Sequence, residues 1–204
     1  MKKMKTLLRA KFAQRLAAFF FVAGTMFTSP NRVLAQEPRS FEIGANYNFV
    51  HTNVPPGGCG CFSLEGGSVW ASYGFTQTFS AVGEVAVQHS SNVGGSGQSL
   101  LLTSYTIGPR YTFATRDRFQ PFGQILVGGV HAGGSFAPGA GGFPGSANSV
   151  AVLAGGGLNF GLNRYLWLRA FQADYYLTHF ANGINNHQNN LRISAGFVVR
   201  FGDK

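Results

Sequence analysis

A short segment of the chain combines the side chains that ester hydrolysis uses. His89-Ser90-Ser91-Asn92 places a histidine two residues before a serine. A serine hydroxyl becomes a nucleophile when a histidine removes its proton and a carboxylate orients that histidine. Glu65 supplies the carboxylate if the strands on either side of a turn at 77–80 pair with each other. Glu65, His89 and Ser91 are therefore a candidate catalytic group, although we favour the alternative that the segment is an ordinary strand end.

The five histidines are the other candidates for acid-base chemistry or metal binding. Four lie at the ends of the first, third, fifth and seventh of the eight strands predicted below, at positions whose side chains face outward. The fifth lies in the last loop. They are His51, His89, His131, His179 and His187. Ligands of a metal ion must converge on one point, and alternate strands are not neighbours. We therefore expect no metal site and no cofactor, and interpret the histidines as a ring of amphipathic side chains at a membrane interface.

Two cysteines, Cys59 and Cys61, are separated by a single glycine in a stretch rich in Gly and Pro. A disulfide, a free dithiol and a metal pair are all compatible with them, although a disulfide between residues so close in sequence closes a strained ring. Two cysteines without a nearby histidine are too few for a structural zinc site. We favour a loop disulfide without a redox function.

The elements that carry these residues are predicted by apolar alternation. From Phe41 to Phe49 every second residue is apolar, and the residues between them are small or polar. This is the period of a β-strand. The pattern recurs and predicts eight strands, around 41–49, 68–76, 84–88, 99–113, 119–132, 148–161, 164–180 and 191–201. In the seventh strand the polar residues change parity, which predicts a bulge near Ala170-Phe171.

The connections between the predicted strands alternate in length. Tight turns at 77–80, 114–118 and 162–164 alternate with longer loops rich in Gly, Pro and Asn. Short turns on one side, long loops on the other and an even number of strands are typical of barrels that span the bacterial outer membrane. The sequence therefore predicts an all-β fold, an eight-stranded antiparallel up-and-down transmembrane β-barrel. Both termini are expected to be periplasmic and the long loops extracellular.

The positions that alternate with the apolar residues place acidic and basic side chains on one face of the strands. The residues are Glu42, Glu84, Asp174, Arg110, Arg169, Arg192 and Arg200. An arginine that faces lipid near the middle of a bilayer costs about 2–4 kcal/mol, whereas acids and bases inside a barrel can pair. The apolar parity must then face lipid, the reverse of a soluble barrel. Because side chains can fill the interior of eight closed strands, we expect a charge-paired interior and no open pore.

The first 35 residues differ from the rest of the chain. Lysines and arginines without any acidic residue precede the apolar run LAAFFFVAGTMFT, and Val33-Leu34-Ala35 follows as a site for signal peptidase. The run is too short to cross a hydrocarbon core of about 30 Å as a helix. We expect a signal peptide at 1–35 and one barrel domain at 36–204. Most of the formal net charge of +9 lies in the signal, so the basic surface that nucleic-acid binding requires is missing.

Four stretches of the predicted barrel are GPRYTF at 108–113, RFQPFGQILVGG at 118–129, LRAFQADYYLTHF at 168–180 and QNNLRISAGFVVRFG at 188–202. With them the chain resembles the small outer-membrane β-barrel proteins that are abundant in acidobacteria, a family mostly without assigned function. The last stretch also resembles the C-terminal signature that the barrel-assembly machinery recognises, although Phe201 is not the terminal residue here. The resemblance implies insertion by that machinery and contact with outer-membrane lipid and lipopolysaccharide, and it supplies no active site.

The H-x-S-N element resembles the segment around the catalytic His and Ser of lipid A deacylases, which are also eight-stranded outer-membrane barrels. In this chain it lies on a different strand from theirs. We therefore expect a non-enzymatic structural or surface-interaction protein of the cell envelope. A lipid A-modifying esterase that uses His89, Ser91 and Glu65 is one alternative, and a small passive channel is the other.

Overall fold

A computed structural model describes residues 40–52, 61–113, 118–137, 145–181 and 186–201 of the 204-residue chain. Eight strands, each paired with the next, form a closed antiparallel barrel. They are β1 (Phe41–Thr52), β2 (Phe62–Gly74), β3 (Phe79–Ser90), β4 (Leu100–Thr112), β5 (Phe119–Gly134), β6 (Gly145–Gly161), β7 (Leu166–Thr178) and β8 (Gln188–Phe201). A 3₁₀ helix, Val93–Gly95, lies in the β3–β4 connection. Within the described residues, no helix has the length and apolar character needed to cross a membrane.

The predicted fold class is confirmed. The first and last strands close the barrel, since Phe41 pairs with both Tyr73 on β2 and Phe201 on β8. The tight and long connections alternate as expected, because 75–78, 113–118 and 162–165 are shorter than 53–61, 91–99, 135–144 and 179–187. The predicted signal peptide at 1–35 and Cys59 lie outside the described residues.

The predicted bulge in β7 is also present. Leu158 on β6 pairs with Phe171 and the next residue, Asn159, pairs with Arg169, so Ala170 is left without a partner on β6. The register to β8 shifts at the same place, between Arg169 and Gln172. Because an extra residue reverses the parity of a strand, Arg169 and Gln172 can both face inward, and both are fully buried.

Short polar side chains hold the tight turns. In the β2–β3 turn, Thr76 Oγ1 accepts hydrogen bonds from the amides of Thr78 (3.3 Å) and Phe79 (2.9 Å). In the β6–β7 turn, Asn163 Oδ1 accepts from the amides of Tyr165 (2.9 Å) and Leu166 (2.8 Å). Such side chains replace backbone partners and favour a local turn, which explains why these connections can be short.

Side chains alternate between the barrel interior and its outer surface. In β1, Glu42, Asn46 and Asn48 are buried, whereas Ile43 and Tyr47 are 44% and 58% exposed. The other strands follow the same rule, so polar and charged groups are inside and most large exposed side chains are apolar. This inverted distribution is the one that a lipid-facing barrel requires.

Candidate functional site

The interior holds two linked groups of ion pairs, the first of them centred on Arg192. Its Nη2 lies 2.8 Å from Asp174 Oδ2, and its Nη1 contacts Glu84 Oε1. Gln172 Nε2 donates a further hydrogen bond of 2.7 Å to Asp174 Oδ2. Asp174 and Arg192 lie on the paired strands β7 and β8, but Glu84 lies on β3. The group therefore crosses the barrel.

The second group is centred on Glu42 of β1. Its Oε1 accepts a hydrogen bond of 2.7 Å from Arg200 Nε, and its Oε2 lies 3.9 Å from Arg110 Nη1. Arg200 Nη2 also donates to Gln120 Oε1 at 2.7 Å. Arg110 donates two hydrogen bonds to Gln124 Oε1, at 3.0 and 2.9 Å. These contacts connect β1 and β8 with β4 and β5.

Two aromatic rings connect the groups. The Cζ atoms of Arg110 and Arg169 lie 4.3 and 4.1 Å from the ring centroid of Trp70. The same atoms lie 4.7 and 4.6 Å from the centroid of Phe122. A guanidinium over an aromatic face is attracted by the ring quadrupole, and more strongly where water is excluded. Trp70 alternates along β2 with the same period as the buried Ser68 and Ser72, but its contact with two arginines was not predicted.

Arg169 differs from the other three interior arginines. It donates to Asn159 Oδ1 at 3.1 Å and to Gln172 Oε1 at 2.8 Å, and no carboxylate of the described residues forms an ion pair with it. The structure thus brings all seven predicted interior charges into the barrel, with the arginines exceeding the acids by one. Neutral amides and the rings of Trp70 and Phe122 hold the extra cation.

An apolar layer inside the barrel was missed by the sequence analysis. Its members lie on the inward parity beside the long connections, or in those connections; they include Val50, Leu64, Val93, Leu100, Leu102, Val130, Ala137, Leu153 and Phe180. Phe62 packs edge-on against Phe136, with ring centroids 5.7 Å apart, at the margin of this layer. The signal was present in the sequence, because Val50 and Leu64 share the inward parity of Asn48 and Ser68. The polar and apolar layers together fill the interior with side chains.

The candidate catalytic group is only partly assembled. Glu65 lies within β2 and pairs directly with His89 on β3, and both side chains are exposed on the outer surface. Glu65 Oε2 accepts a hydrogen bond of 2.9 Å from Tyr47 Oη. Ser91 lies just beyond the end of β3. Within the described ranges, neither Glu65 nor Ser91 hydrogen bonds with the His89 ring, so the relay that activates a serine is not formed.

The fourth residue of the H-x-S-N element has a structural role. Asn92 Oδ1 accepts a hydrogen bond of 2.8 Å from the amide of Gly97, and the amide of Val93 donates to Gln98 O at 2.9 Å. Gly95 and Gly97 in this connection have φ of 80° and 72°, which favours glycine. The segment after His89 therefore folds a compact loop that inserts Val93 into the apolar layer.

The histidines are distributed around the barrel as predicted, except that His179 follows β7 and is not part of it. His51, His89 and His131 lie near the ends of β1, β3 and β5, while His179 and His187 flank the β7–β8 connection. Within the described ranges, no three His, Cys, Asp or Glu side chains are arranged to hold a metal ion. Cys61 is exposed next to β2, and the disulfide with Cys59 stays a prediction.

The outer surface carries aromatic side chains at the end with the short turns. Phe79 and Phe113 both contact Tyr111 edge-on, with ring centroids 5.0 and 4.9 Å from it. Phe119 and Phe160 form a further pair at 5.1 Å. Aromatic rings at such a level are typical of the interface between a membrane and water.

Comparison with known proteins gives the fold a context. No protein-family model and no curated protein sequence matches the chain. The Neisserial surface protein NspA matches with a TM-score of 0.62 at 16% identity, over 79% of this chain and 97% of that one. Ail, the attachment invasion locus protein of Yersinia pestis, matches with a TM-score of 0.55 at 16% identity, over 81% and 100%. The outer-membrane protein OprG of Pseudomonas aeruginosa matches with a TM-score of 0.50 at 12% identity, over 84% and 100%.

This chain has the fold of small outer-membrane β-barrel proteins. At these identities the similarity concerns the fold alone. The shared architecture is the closed eight-stranded barrel.

Proposed function

We propose that the chain is a non-enzymatic protein of the bacterial outer membrane, with a closed barrel that presents its long connections to the cell exterior. The observation that carries this proposal is the inverted barrel, apolar outside and filled inside by charged and apolar layers. A filled interior serves anchoring and surface presentation better than transport. NspA is named a surface protein and Ail an attachment invasion locus protein, which supports the same role.

The same proposal includes export of the chain and insertion of the barrel into the outer membrane. Cleavage after Ala35 releases a mature chain that starts at Gln36, and the barrel-assembly machinery inserts it through the aromatic last strand into outer-membrane lipid and lipopolysaccharide. We infer that the chain is one of the acidobacterial-type small barrels, on the basis of the stretches at 108–113, 118–129, 168–180 and 188–202. The intact mass of the purified protein tests the cleavage site. A mass that includes residues 1–35 contradicts it.

Location is tested by fractionation and by gel mobility. The protein is expected in the outer-membrane fraction, and unheated samples are expected to migrate differently from boiled ones because a folded barrel resists detergent. Recovery in the soluble periplasmic fraction contradicts the proposal.

In planar bilayers the purified barrel is expected to give no steady conductance, since side chains fill the interior. A regular single-channel conductance would favour the passive-channel alternative.

The two cysteines of the chain can be used to test on which side of the membrane the long connections lie. Its only two cysteines are Cys59 and Cys61, both in the 53–61 connection. A membrane-impermeant thiol reagent is expected to label reduced, intact cells, whereas labelling without reduction is weak if the two cysteines form the disulfide. The matched control is Thr78→Cys in a background with both cysteines replaced by serine, because Thr78 lies in the β2–β3 turn. This control should be labelled only after the cells are permeabilised; the opposite pattern reverses the topology.

A further inference from the structure

All five histidines of the chain lie in the half of the barrel that carries the long connections. We call them the histidine rim: His51, His89, His131, His179 and His187. His131 is partly exposed and the other four are exposed. The three on strands share the outward parity of the lipid-facing residues, and they come after the apolar part of their strands. The rim therefore surrounds the barrel near the level where the apolar surface ends.

Almost no permanent charge accompanies the rim. The connections 53–61, 91–99, 135–144 and 179–187 contain no Lys, Arg, Asp or Glu. Arg118 and Arg164 lie in the short turns at the opposite end, and the four arginines of the strands are inside the barrel. At neutral pH, this end of the protein thus lacks the cations that would normally attract anionic headgroups.

The groups opposite two rim residues are neutral. His51 pairs with Ser63 on β2, with 3.5 Å between His51 Nδ1 and Ser63 Oγ. His131 lies between Thr103 on β4 and Asn148 on β6, and its Nδ1 is 2.8 Å from Asn148 Oδ1. Asn148 has a neutral amide side chain, which can hydrogen bond with an imidazole. None of these partners opposes a positive charge on the imidazole.

His89 faces one acid, His179 and His187 face each other, and His187 Nδ1 also lies 3.0 Å from Asn186 O. His89 lies opposite Glu65, whose carboxylate is bound by Tyr47 Oη at 2.9 Å. The rings of His179 and His187 lie 4.4 Å apart, centroid to centroid. The other titratable side chains on this part of the described surface are Cys61, Tyr105 and Tyr175. Among the described residues of this surface, Glu65 is thus the only Asp, Glu, Lys or Arg.

We propose that the histidine rim is a pH-dependent binding surface for the phosphate groups of anionic lipid headgroups that surround the barrel. An imidazole becomes positively charged when it binds a proton, and the rim holds five imidazoles beside a single carboxylate, that of Glu65. A protonated imidazole has two N–H donors, and charge-assisted hydrogen bonds to phosphate are among the strong ones. The charged form binds phosphate more strongly than the neutral form does, so acid strengthens the interaction. The inference rests on the proposed outer-membrane location.

The test uses the mature chain, refolded in zwitterionic detergent micelles and titrated with phosphatidylglycerol. Thermal unfolding is followed by the gel mobility of folded and unfolded protein, because a ligand of the folded state raises the unfolding temperature. We expect phosphatidylglycerol to bind about 10-fold more tightly at about pH 5.5 than at about pH 8. Phosphatidylcholine should show no such difference. Equal affinity for phosphatidylglycerol at both pH values contradicts the proposal.

Two variants separate the rim from general effects of pH. Replacement of all five rim histidines by glutamine should abolish the pH dependence, and the double variant His179→Gln/His187→Gln should reduce it if the full replacement does not refold. The matched control is Arg118→Gln/Arg164→Gln, which removes permanent charges at the opposite end and should leave the pH dependence unchanged. A pH dependence that survives in both histidine variants overturns the assignment.

A separate measurement tests the membrane location on which the proposal rests. At about pH 8 the wild-type chain should fold into phosphatidylcholine vesicles and float with them. Failure at this step contradicts the outer-membrane proposal itself. Insertion followed by a pH-independent lipid preference contradicts only the inference about the rim.

Discussion

Arg192 on β8 and Glu84 on β3 form an ion pair between strands that are not neighbours in the barrel. Hydrogen bonds of the sheet act only between adjacent strands, so this pair connects opposite walls directly. Arg192 also pairs with Asp174, and the three side chains are at most 1% exposed. Buried charges lose their hydration, and the effective cost is several kcal/mol per ion unless each one is paired. The three charges therefore depend on one another.

Replacement of Arg192 by methionine should destabilise the barrel strongly. The variant leaves the carboxylates of Glu84 and Asp174 buried without their cation, which lowers the free energy of unfolding by about 3–5 kcal/mol. Urea titration in micelles, read out by gel mobility, measures this difference. The control Arg164→Met removes an exposed arginine of a short turn and should have little effect. If the triple variant Arg192→Met/Glu84→Gln/Asp174→Asn is no more stable than Arg192→Met, unpaired charge is not the cause.

The position of Trp70 makes Gly44 a sensitive site. A Cβ atom at Gly44 would lie 2.3 Å from two atoms of the Trp70 indole, and Trp70 cannot move freely because Arg110 and Arg169 lie against it. Gly44→Ala should therefore lower the free energy of unfolding by about 1–3 kcal/mol, as overpacking does elsewhere.

The control for Gly44 is a strand glycine on the outer surface. A Cβ atom at Gly83 would meet nothing within 4 Å, so Gly83→Ala should be close to neutral in the same urea titration. Equal destabilisation by both substitutions would point to a general loss of strand geometry and would contradict the packing of Trp70 described here.

Apolar alternation predicted the strand count and the β7 bulge, and the alternating lengths of the connections added the antiparallel barrel. These features depend on neighbours in sequence, and a change of parity at Gln172 and Asp174 is visible without any structure. The same alternation assigned Glu42 and Arg200 to one face. Both are in the interior, where they pair across the β1–β8 seam.

The cross-barrel contacts were not predictable in the same way. The distance between Glu84 and Arg192, or between Trp70 and Arg169, depends on how the closed sheet is staggered, and alternation along one strand contains no information about that stagger. The apolar layer was missed for a different reason. Polar residues dominate the inward-facing positions in the middle of each strand, and these positions become apolar, as at Val50 and Leu64, only near the strand ends.

The outer-surface group of Glu65, His89 and Ser91 should have no esterase activity. Tyr47 already binds the carboxylate that would orient the histidine, and Ser91 lies in the loop that Asn92 stabilises. Purified barrel incubated with lipopolysaccharide should release no fatty acid, as measured by mass spectrometry. Tyr47→Phe, which removes the partner of Glu65, should not create activity. Release by the wild type that is lost in His89→Ala would restore the deacylase hypothesis.

The outward face should tolerate charge at the rim but not in the middle of the strands. Ile125 on β5 is 57% exposed on the outer surface, and Ile125→Arg brings a guanidinium among lipid chains, at a cost of about 2–4 kcal/mol near the bilayer midplane. Thr103 faces outward beside His131, so Thr103→Arg should cost only about 0–1 kcal/mol, the value for an interface. Unfolding by urea from phosphatidylcholine vesicles compares the two variants, which add the same side chain at different depths.

In detergent micelles, which deform more easily around a charge, the difference between the two variants in the free energy of unfolding should shrink. Equal losses in vesicles would mean that both positions lie at the same depth, and the barrel would then not be inserted with the histidine rim at the membrane boundary.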